Sequence, residues 1–396
     1  MSSLYPTRSP AALASRGGLS DRTLERWFMA GLLLMPLQFL TLGPAQLGHF
    51  WAMLLFGLMI FRLDVRVRPV EIYFYAFFIA MALVATRFGG YERIKSTEQI
   101  LKFAAVYPAF YLIGRLVGER YRERALPYGY AFVWCFIAFE YAVQFFEVPY
   151  LYQLVTFAQG ALHGTFKERN WFAIFVFLLT YLRLLKSRIG TQDLLKFLGT
   201  SVVVALLSGS KTILVASGIV VLFQVRGRIV EKAVMLGSGA ALYVYRFGNE
   251  LTGQMLKVRL EDERGLAFKA GTNLIKDNVF GYGFGFVEAY FSRFWFVVKG
   301  LGMGTNSIFC TPLDLMIIAG VPGLLLWIVF FAGVGLGAVG LLAPVAAWSL
   351  LNPLHQSELV YLFVGILVSW GLQRPTAETA APARRGVFGF RSRHAA

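Results

Sequence analysis

Residues 170 to 225 read NWFAIFVFLLTYLRLLKSRIGTQDLLKFLGTSVVVALLSGSKTILVASGIVVLFQV, and they hold three apolar runs, at 170 to 185, 195 to 207 and 212 to 225. A helix crosses the hydrocarbon core of a bilayer with about 20 apolar residues, or somewhat fewer where flanking residues reach the interface. The first connection carries Arg183, Lys186, Arg188 and Lys196, and the second is the short polar turn Ser208-Gly209-Ser210-Lys211. Runs of this length and composition, joined by a basic connection on one side and a tight turn on the other, predict membrane helices laid side by side. The basic connection belongs on the cytoplasmic side.

The rest of the chain extends the pattern. Of its 396 residues 57% are hydrophobic and 15% charged, with 37 Phe and a mean hydropathy of +0.60, outside the balance of a soluble domain. Further apolar runs lie at 27 to 42, 47 to 61, 71 to 86, 99 to 117, 127 to 146, 229 to 245, 306 to 320, 322 to 342 and 358 to 372. Together with the opening three they predict an all-α integral membrane protein of about 12 transmembrane helices. A soluble enzyme, a DNA-binding domain and a secreted disulfide scaffold are excluded.

The net charge of +16 does not imply a nucleic-acid partner, because basic residues beside membrane helices first set topology. With a cytoplasmic N-terminus and one crossing per run, the inner segments hold 23 Lys and Arg and the short outer loops 7. This asymmetry predicts both termini inside. Residues 1 to 26 form a cytoplasmic tail with four Arg and no signal-peptide pattern, 27 to 245 carry helices one to nine, 306 to 372 helices ten to twelve, and 373 to 396 a cytoplasmic tail.

Between the ninth and tenth helices, residues 246 to 305 make a long outer loop of 60 residues. A loop of that length is disordered or has a job. Its Phe268, Leu274, Ile275, Phe280, Phe284, Phe286, Tyr290, Phe291 and Trp295 can bury surface, which predicts an ordered helical subdomain on the periplasmic side. A smaller outer loop, 147 to 169, holds Tyr150, Tyr152, Phe157, His163 and Phe166, aromatics that also suit an interface belt. No internal repeat is visible, which argues against a repeat-built transporter.

Candidate chemistry concentrates on the outer side. The turn before residue 212 puts Lys211 at a helix N-terminus, where unpaired N–H groups and a partial positive charge favour an anion. A lysine reaching out to the interface is the plainer reading. The segment lacks the spacing of a nucleotide-binding P-loop and faces the wrong side for ATP. Arg264 heads the run Arg264-Gly-Leu-Ala-Phe268-Lys269-Ala-Gly-Thr-Asn-Leu-Ile-Lys276-Asp277, which is followed by the glycines Gly281, Gly283 and Gly285. Its guanidinium offers a fork for phosphate oxygens, and glycines let backbone approach a ligand; a solvated ion pair with Glu261 or Glu263 is the alternative. Glu140 and Asp314 fall inside apolar runs, where a carboxyl is functional or structurally paired. Neither cysteine, Cys135 or Cys310, belongs to a disulfide or metal pattern.

In order along the chain, Gly164-Thr-Phe-Lys-Glu-Arg169-Asn170, Ser-Gly-Ser-Lys211-Thr, Arg264-x-x-x-Phe268-Lys-Ala with Asn-Val-Phe-Gly281-Tyr-Gly283-Phe-Gly285, and Thr305-Asn306-Ser307 with Gly320-Val-Pro-Gly323 beyond it resemble the O-antigen ligase and Wzy-type polysaccharide polymerase family. The resemblance covers roughly residues 160 to 345. It implies a metal-independent, inverting glycosyltransferase without cofactor, in the bacterial inner membrane, with its active site facing the periplasm. The donor would be an oligosaccharide on undecaprenyl diphosphate and the acceptor a sugar hydroxyl. Arg264 and Lys211 would be the catalytic residues that hold the diphosphate; Arg169, Asn170, Arg259, Thr305, Asn306 and His163 would bind substrate, and either His163 or Glu261 would serve if a base is used. The chain departs from the family in having Lys211 for an Arg and Thr305 for a His. Lacking that His, it is expected to be a polymerase of exopolysaccharide or O-antigen repeats, with an O-antigen ligase as the alternative and a lipid-linked oligosaccharide flippase behind both. A chain-length regulator and a flippase are the expected protein partners.

Overall fold

The computed structural model describes residues 21–38, 41–42, 45–62, 68–87, 93–146, 166, 169–185, 190–224, 229–248, 263–291, 308, 310–335 and 339–373. Helices α1 (Asp21–Leu34), α2 (Leu47–Arg62) and α3 (Ile72–Arg87) open the bundle, with a two-residue antiparallel ladder between the first two, β1 (Thr41–Leu42) and β2 (Ala45–Gln46). The chain is then helical without a break from residue 93 to residue 145: α4 (Arg93–Leu101), α5 (Tyr107–Ile113) and α6 (Glu119–Phe145) are joined by π-helical turns at Lys102–Val106 and Gly114–Gly118. Next come α7 (Arg169–Leu184), α8 (Thr191–Ser208), α9 (Thr212–Gln224), α10 (Ile229–Phe247), α11 (Glu263–Asp277), α12 (Phe286–Phe291), α13 (Thr311–Gly335), α14 (Val339–Ser349) and α15 (Glu358–Gln373). By length and composition four helical stretches among the described residues suffice to cross a membrane, Ser96–Gly118, Arg120–Val143, Thr191–Ser208 and Thr311–Gly333. Shorter apolar helices surround them, and the chain is an all-α protein of membrane type.

Two boundaries differ from the sequence reading. Residues 115–126, expected to connect two crossings, are helical. Their arginines are held by neighbours instead of marking a loop. Arg115 reaches the buried Glu71 at 3.3 Å, and the Arg122 guanidinium lies 3.6 Å from the centre of the Trp370 ring. Residues 311–320 and 322–335, expected to fall in two crossings, form the single stretch α13, and residues 339–342 open α14. α13 runs through the Gly320-Val321-Pro322 step with a local break at Gly320 (φ 68°, ψ −175°). Pro322 has no N–H to offer the preceding turn, so the break costs few intrahelical bonds.

Two glycine crossings set the packing. α15 lies against the α5 segment and the π turn after it. A Cβ at Gly114 would overlap the Leu362 carbonyl, and one at Gly365 would overlap that of Tyr111. Small residues of this kind let two membrane helices approach backbone to backbone. Around this contact the core is aromatic: Tyr107 stacks on Tyr361 at 4.6 Å, and Phe177 on Tyr181 at 5.6 Å. Outward-facing Ile72, Leu83, Val230 and Tyr245 are exposed, as suits a surface solvated by lipid.

Contacts between helix ends give the bundle two polar ends. At one end Glu71 accepts from the Tyr111 hydroxyl at 2.9 Å and from the Arg68 backbone at 2.7 Å, and the Gln224 side chain donates to the Gly340 carbonyl at 3.0 Å. At the other end meet the start of α7, the α8–α9 turn, the connection before α15 and the start of α13.

Candidate functional site

At that second end α8 terminates at Ser208, whose hydroxyl donates back to the Val204 carbonyl at 2.6 Å and accepts from the Ser210 N–H at 3.2 Å. Gly209 follows in the left-handed region (φ 66°, ψ 15°), the conformation that ends helices most readily with glycine. The Lys211 carbonyl then takes the N–H groups of Leu214 and Val215, at 3.1 and 3.4 Å, and α9 begins. The turn is therefore satisfied from within itself, and its side chains are left to reach other helices.

They reach two. The Ser210 hydroxyl donates to the Asn170 side-chain oxygen at 3.3 Å, tying the turn to the start of α7. A Cβ placed on Gly209 would lie 3.4 Å from Arg169 Nη1, so the guanidinium lies over the turn. Three residues that the sequence singled out, Arg169, Asn170 and Lys211, thus converge from segments about 40 residues apart. From α10 comes Phe247, with Lys211 Nζ 5.1 Å from its ring centre and Arg246 Cζ 5.7 Å from it. On the far side Asn352 donates to Thr212 Oγ1 at 3.4 Å, and its carbonyl accepts from the Thr311 hydroxyl at 2.8 Å. Cations gathered at a helix N-terminus suit a multiply charged anion.

Arg264 is the second residue of α11, and its side chain is outside the description. Arg259, Thr305, Asn306, His163 and Glu261 lie outside the described residues.

The glycine loop is placed differently from its sequence reading as a backbone cradle for ligand. Gly281, Gly283 and Gly285 all have positive φ, and the segment they punctuate is bonded to the break in α13. Tyr282 N–H donates to the Ile317 carbonyl at 2.7 Å, Gly283 N–H to that of Ile318 at 2.8 Å, and Val321 N–H to that of Val279 at 2.9 Å. Gln99 accepts from the Gly285 N–H at 3.0 Å. The close approach these glycines permit is to α13 and α4.

Asp314, read as about two turns into a helix, stands in the first turn of α13 and is fully buried. Its carboxylate accepts from the Ile308 N–H at 2.8 Å, the paired structural role of a helix start. Glu140 is also fully buried. A second polar cluster joins α2, α4 and α15: His49 Nε2 meets Glu358 at 2.7 Å, and Lys102 meets Glu98 at 2.8 Å. Because His49 Nδ1 accepts from the Gln46 N–H at 3.2 Å, the ring proton is assigned to Nε2, directed at the carboxylate. His355, in the connection before α15, is fully buried, and neither ring nitrogen has a hydrogen-bond partner among the described residues. Burial holds its pKa down to about 3.

Arg246 and Phe247 were missed by the sequence reading, although a cation and an aromatic closing an apolar run is a visible signal. His355 had none. Among the described residues no three His, Cys, Asp or Glu side chains are grouped to hold a metal ion. Compared with known proteins, the chain matches no family model and no curated protein.

Proposed function

We propose that this chain is a polymerase of lipid-linked oligosaccharide repeats in the bacterial inner membrane, making exopolysaccharide or O-antigen at the periplasmic face. The observation that carries this reading is the convergence of Arg169, Asn170 and Lys211 on the turn that opens α9. These are residues of two motifs in the family resemblance, brought together from separate parts of the chain. The reading keeps about twelve crossings, counting 93–118 and α6 separately. On the charge asymmetry of their connections, the Lys211 turn and α11 fall on the outer side.

In the proposed reaction an acceptor hydroxyl oxygen bonds to the anomeric carbon of the donor sugar as the bond from that carbon to the diphosphate oxygen breaks. Configuration inverts, the hydroxyl proton passes to a base or to water, and undecaprenyl diphosphate leaves. Preorganised cations that stabilise the departing charge do most of what such a step requires, and the protein's other task is to hold the acceptor in line. In this reading Lys211 and Arg264 are assigned to the diphosphate, and Arg169, Asn170, Arg259, Thr305, Asn306 and His163 to binding substrate. An apolar cavity of about 660 Å³ between α13, α14 and α15, lined by Trp327, Phe331, Leu342 and Val360, supports a lipid-linked donor.

A strain lacking the protein tests the reading through its products. It should export single lipid-linked repeats and lose long polymer. Polymer of normal length that fails to reach lipid A-core would replace this reading with the ligase, and repeats retained on the cytoplasmic face would replace it with a flippase.

A further inference from the structure

The cavity of about 660 Å³ between α13, α14 and α15 has walls without charge: none of its described lining residues is Lys, Arg, Asp or Glu. Its hydroxyl groups are committed within the fold. Thr311 donates to the Asn352 carbonyl at 2.8 Å, Tyr361 to that of His355 at 2.9 Å, and Ser349 to that of Ala346. The His355 side chain differs. It lines the same cavity from the connection before α15, is fully buried, and has no hydrogen-bond partner at either ring nitrogen among the described residues.

The volume falls within the roughly 300 to 1,000 Å³ of small-ligand sites, and a buried polar group left unpaired calls for a cause. Burial keeps the imidazole neutral, so one nitrogen can donate and the other accept. A phosphate beside it would be a buried charge with no cation in the lining. An alcohol or ester oxygen takes a hydrogen bond from a neutral ring without needing one. Between membrane helices, the apolar molecules at hand are lipid chains. We propose that this cavity binds a lipid chain ending in an uncharged oxygen, the hydroxyl of a prenyl alcohol or the ester of an acyl chain, hydrogen-bonded to His355. The ring has no exposed surface of its own, so binding turns the imidazole toward the chain end. This site goes beyond the functional reading, whose lipid ends in a diphosphate assigned to Lys211 and Arg264.

The test is binding of farnesol, methyl laurate, farnesyl diphosphate and the hydrocarbon farnesene to the purified full-length protein in detergent. His355→Leu should weaken farnesol binding about threefold to tenfold, the scale of one neutral hydrogen bond, and leave farnesene binding unchanged. His355→Gln, whose amide also donates and accepts, should keep most of the farnesol affinity. Ala343→Trp, which fills the cavity from α14, should lose farnesol and farnesene alike. Of farnesol and methyl laurate, the probe that His355→Leu weakens more identifies the chain end as prenyl alcohol or acyl ester. Farnesol binding that His355→Leu leaves unchanged, or lowers together with farnesene, overturns the proposal and leaves the functional reading standing. So does an unaltered protein that binds neither farnesol nor methyl laurate. Farnesyl diphosphate held more tightly than farnesol, lost in Ala343→Trp and kept in Lys211→Ala, would put a charged head group in the cavity and overturn both this site and the assignment of the diphosphate to Lys211.

Discussion

The turn at Ser208–Lys211 and the loop at Gly281–Gly285 look alike in sequence, for each is a glycine-marked break between apolar runs where a phosphate might lie against backbone. In the fold they part company. The loop commits its N–H groups to the carbonyls of the broken turn in α13 and to Gln99. The turn closes on itself through Ser208 and Lys211, and collects side chains from α7 and α10. A glycine at positive φ reports that something lies close to the backbone, without saying what. The cations beside the Ser208–Lys211 turn make it a candidate site, and the bonds of the Gly281–Gly285 loop to α13 make it a structural joint.

The sharpest way to break this comparison is Gly320→Val. A Cβ at Gly320 would overlap the Val279 carbonyl and the Phe280 backbone, and the residue already sits at φ 68°. Strain and overlap together should cost about 3 kcal/mol or more. Thermal unfolding of the purified protein should show a large drop, and an unchanged midpoint would mean that the loop and α13 are not joined as described.

Acid offers a second probe, aimed at the other region, since His355 lies in the connection whose Asn352 docks on Thr212. Its folded pKa is held near 3 by burial, below the unfolded value of 6.5, so the folded state keeps it neutral. The unfolded chain therefore binds the extra proton first. The stability this confers is fully present above about pH 6.5 and falls as the pH drops toward 3, by up to about 1.4 kcal/mol per pH unit. Comparing the unfolding midpoint from pH 7 to pH 4 in wild type and His355→Leu checks this; equal slopes would remove His355 as the cause.

Legibility followed locality. The runs at 212 to 225, 229 to 245 and 358 to 372 match α9, α10 and α15 within about two residues, because a membrane helix is written as one continuous apolar stretch. Segment 115–126 was not legible: its four arginines read as a loop, while three of them, Arg115, Arg124 and Arg122, meet Glu71, Glu25 and Trp370, remote in sequence. The step at Gly320-Val321-Pro322 carries the signal of a helix boundary, and α13 does break there, with the facing loop bonded to the Ile317 and Ile318 carbonyls beside the break. At the site, Arg169 and Lys211 could be named from their motifs. The Lys211–Phe247–Arg246 arrangement could not, since nothing local to Lys211 reveals which helix end will cover it.

Polymer formation from purified lipid-linked repeats by the Lys211 and Arg264 variants tests most directly whether the outer cations carry the departing diphosphate. Lys211→Ala and Arg264→Ala should each lose about 3 to 4 kcal/mol of transition-state stabilisation, or roughly a 100- to 1,000-fold fall in rate in a folded, membrane-inserted protein. Lys211→Arg should stay active, and Arg264→Lys should recover little, because a two-pronged contact is lost. Turnover within about twofold of wild type in both alanine variants would contradict the account.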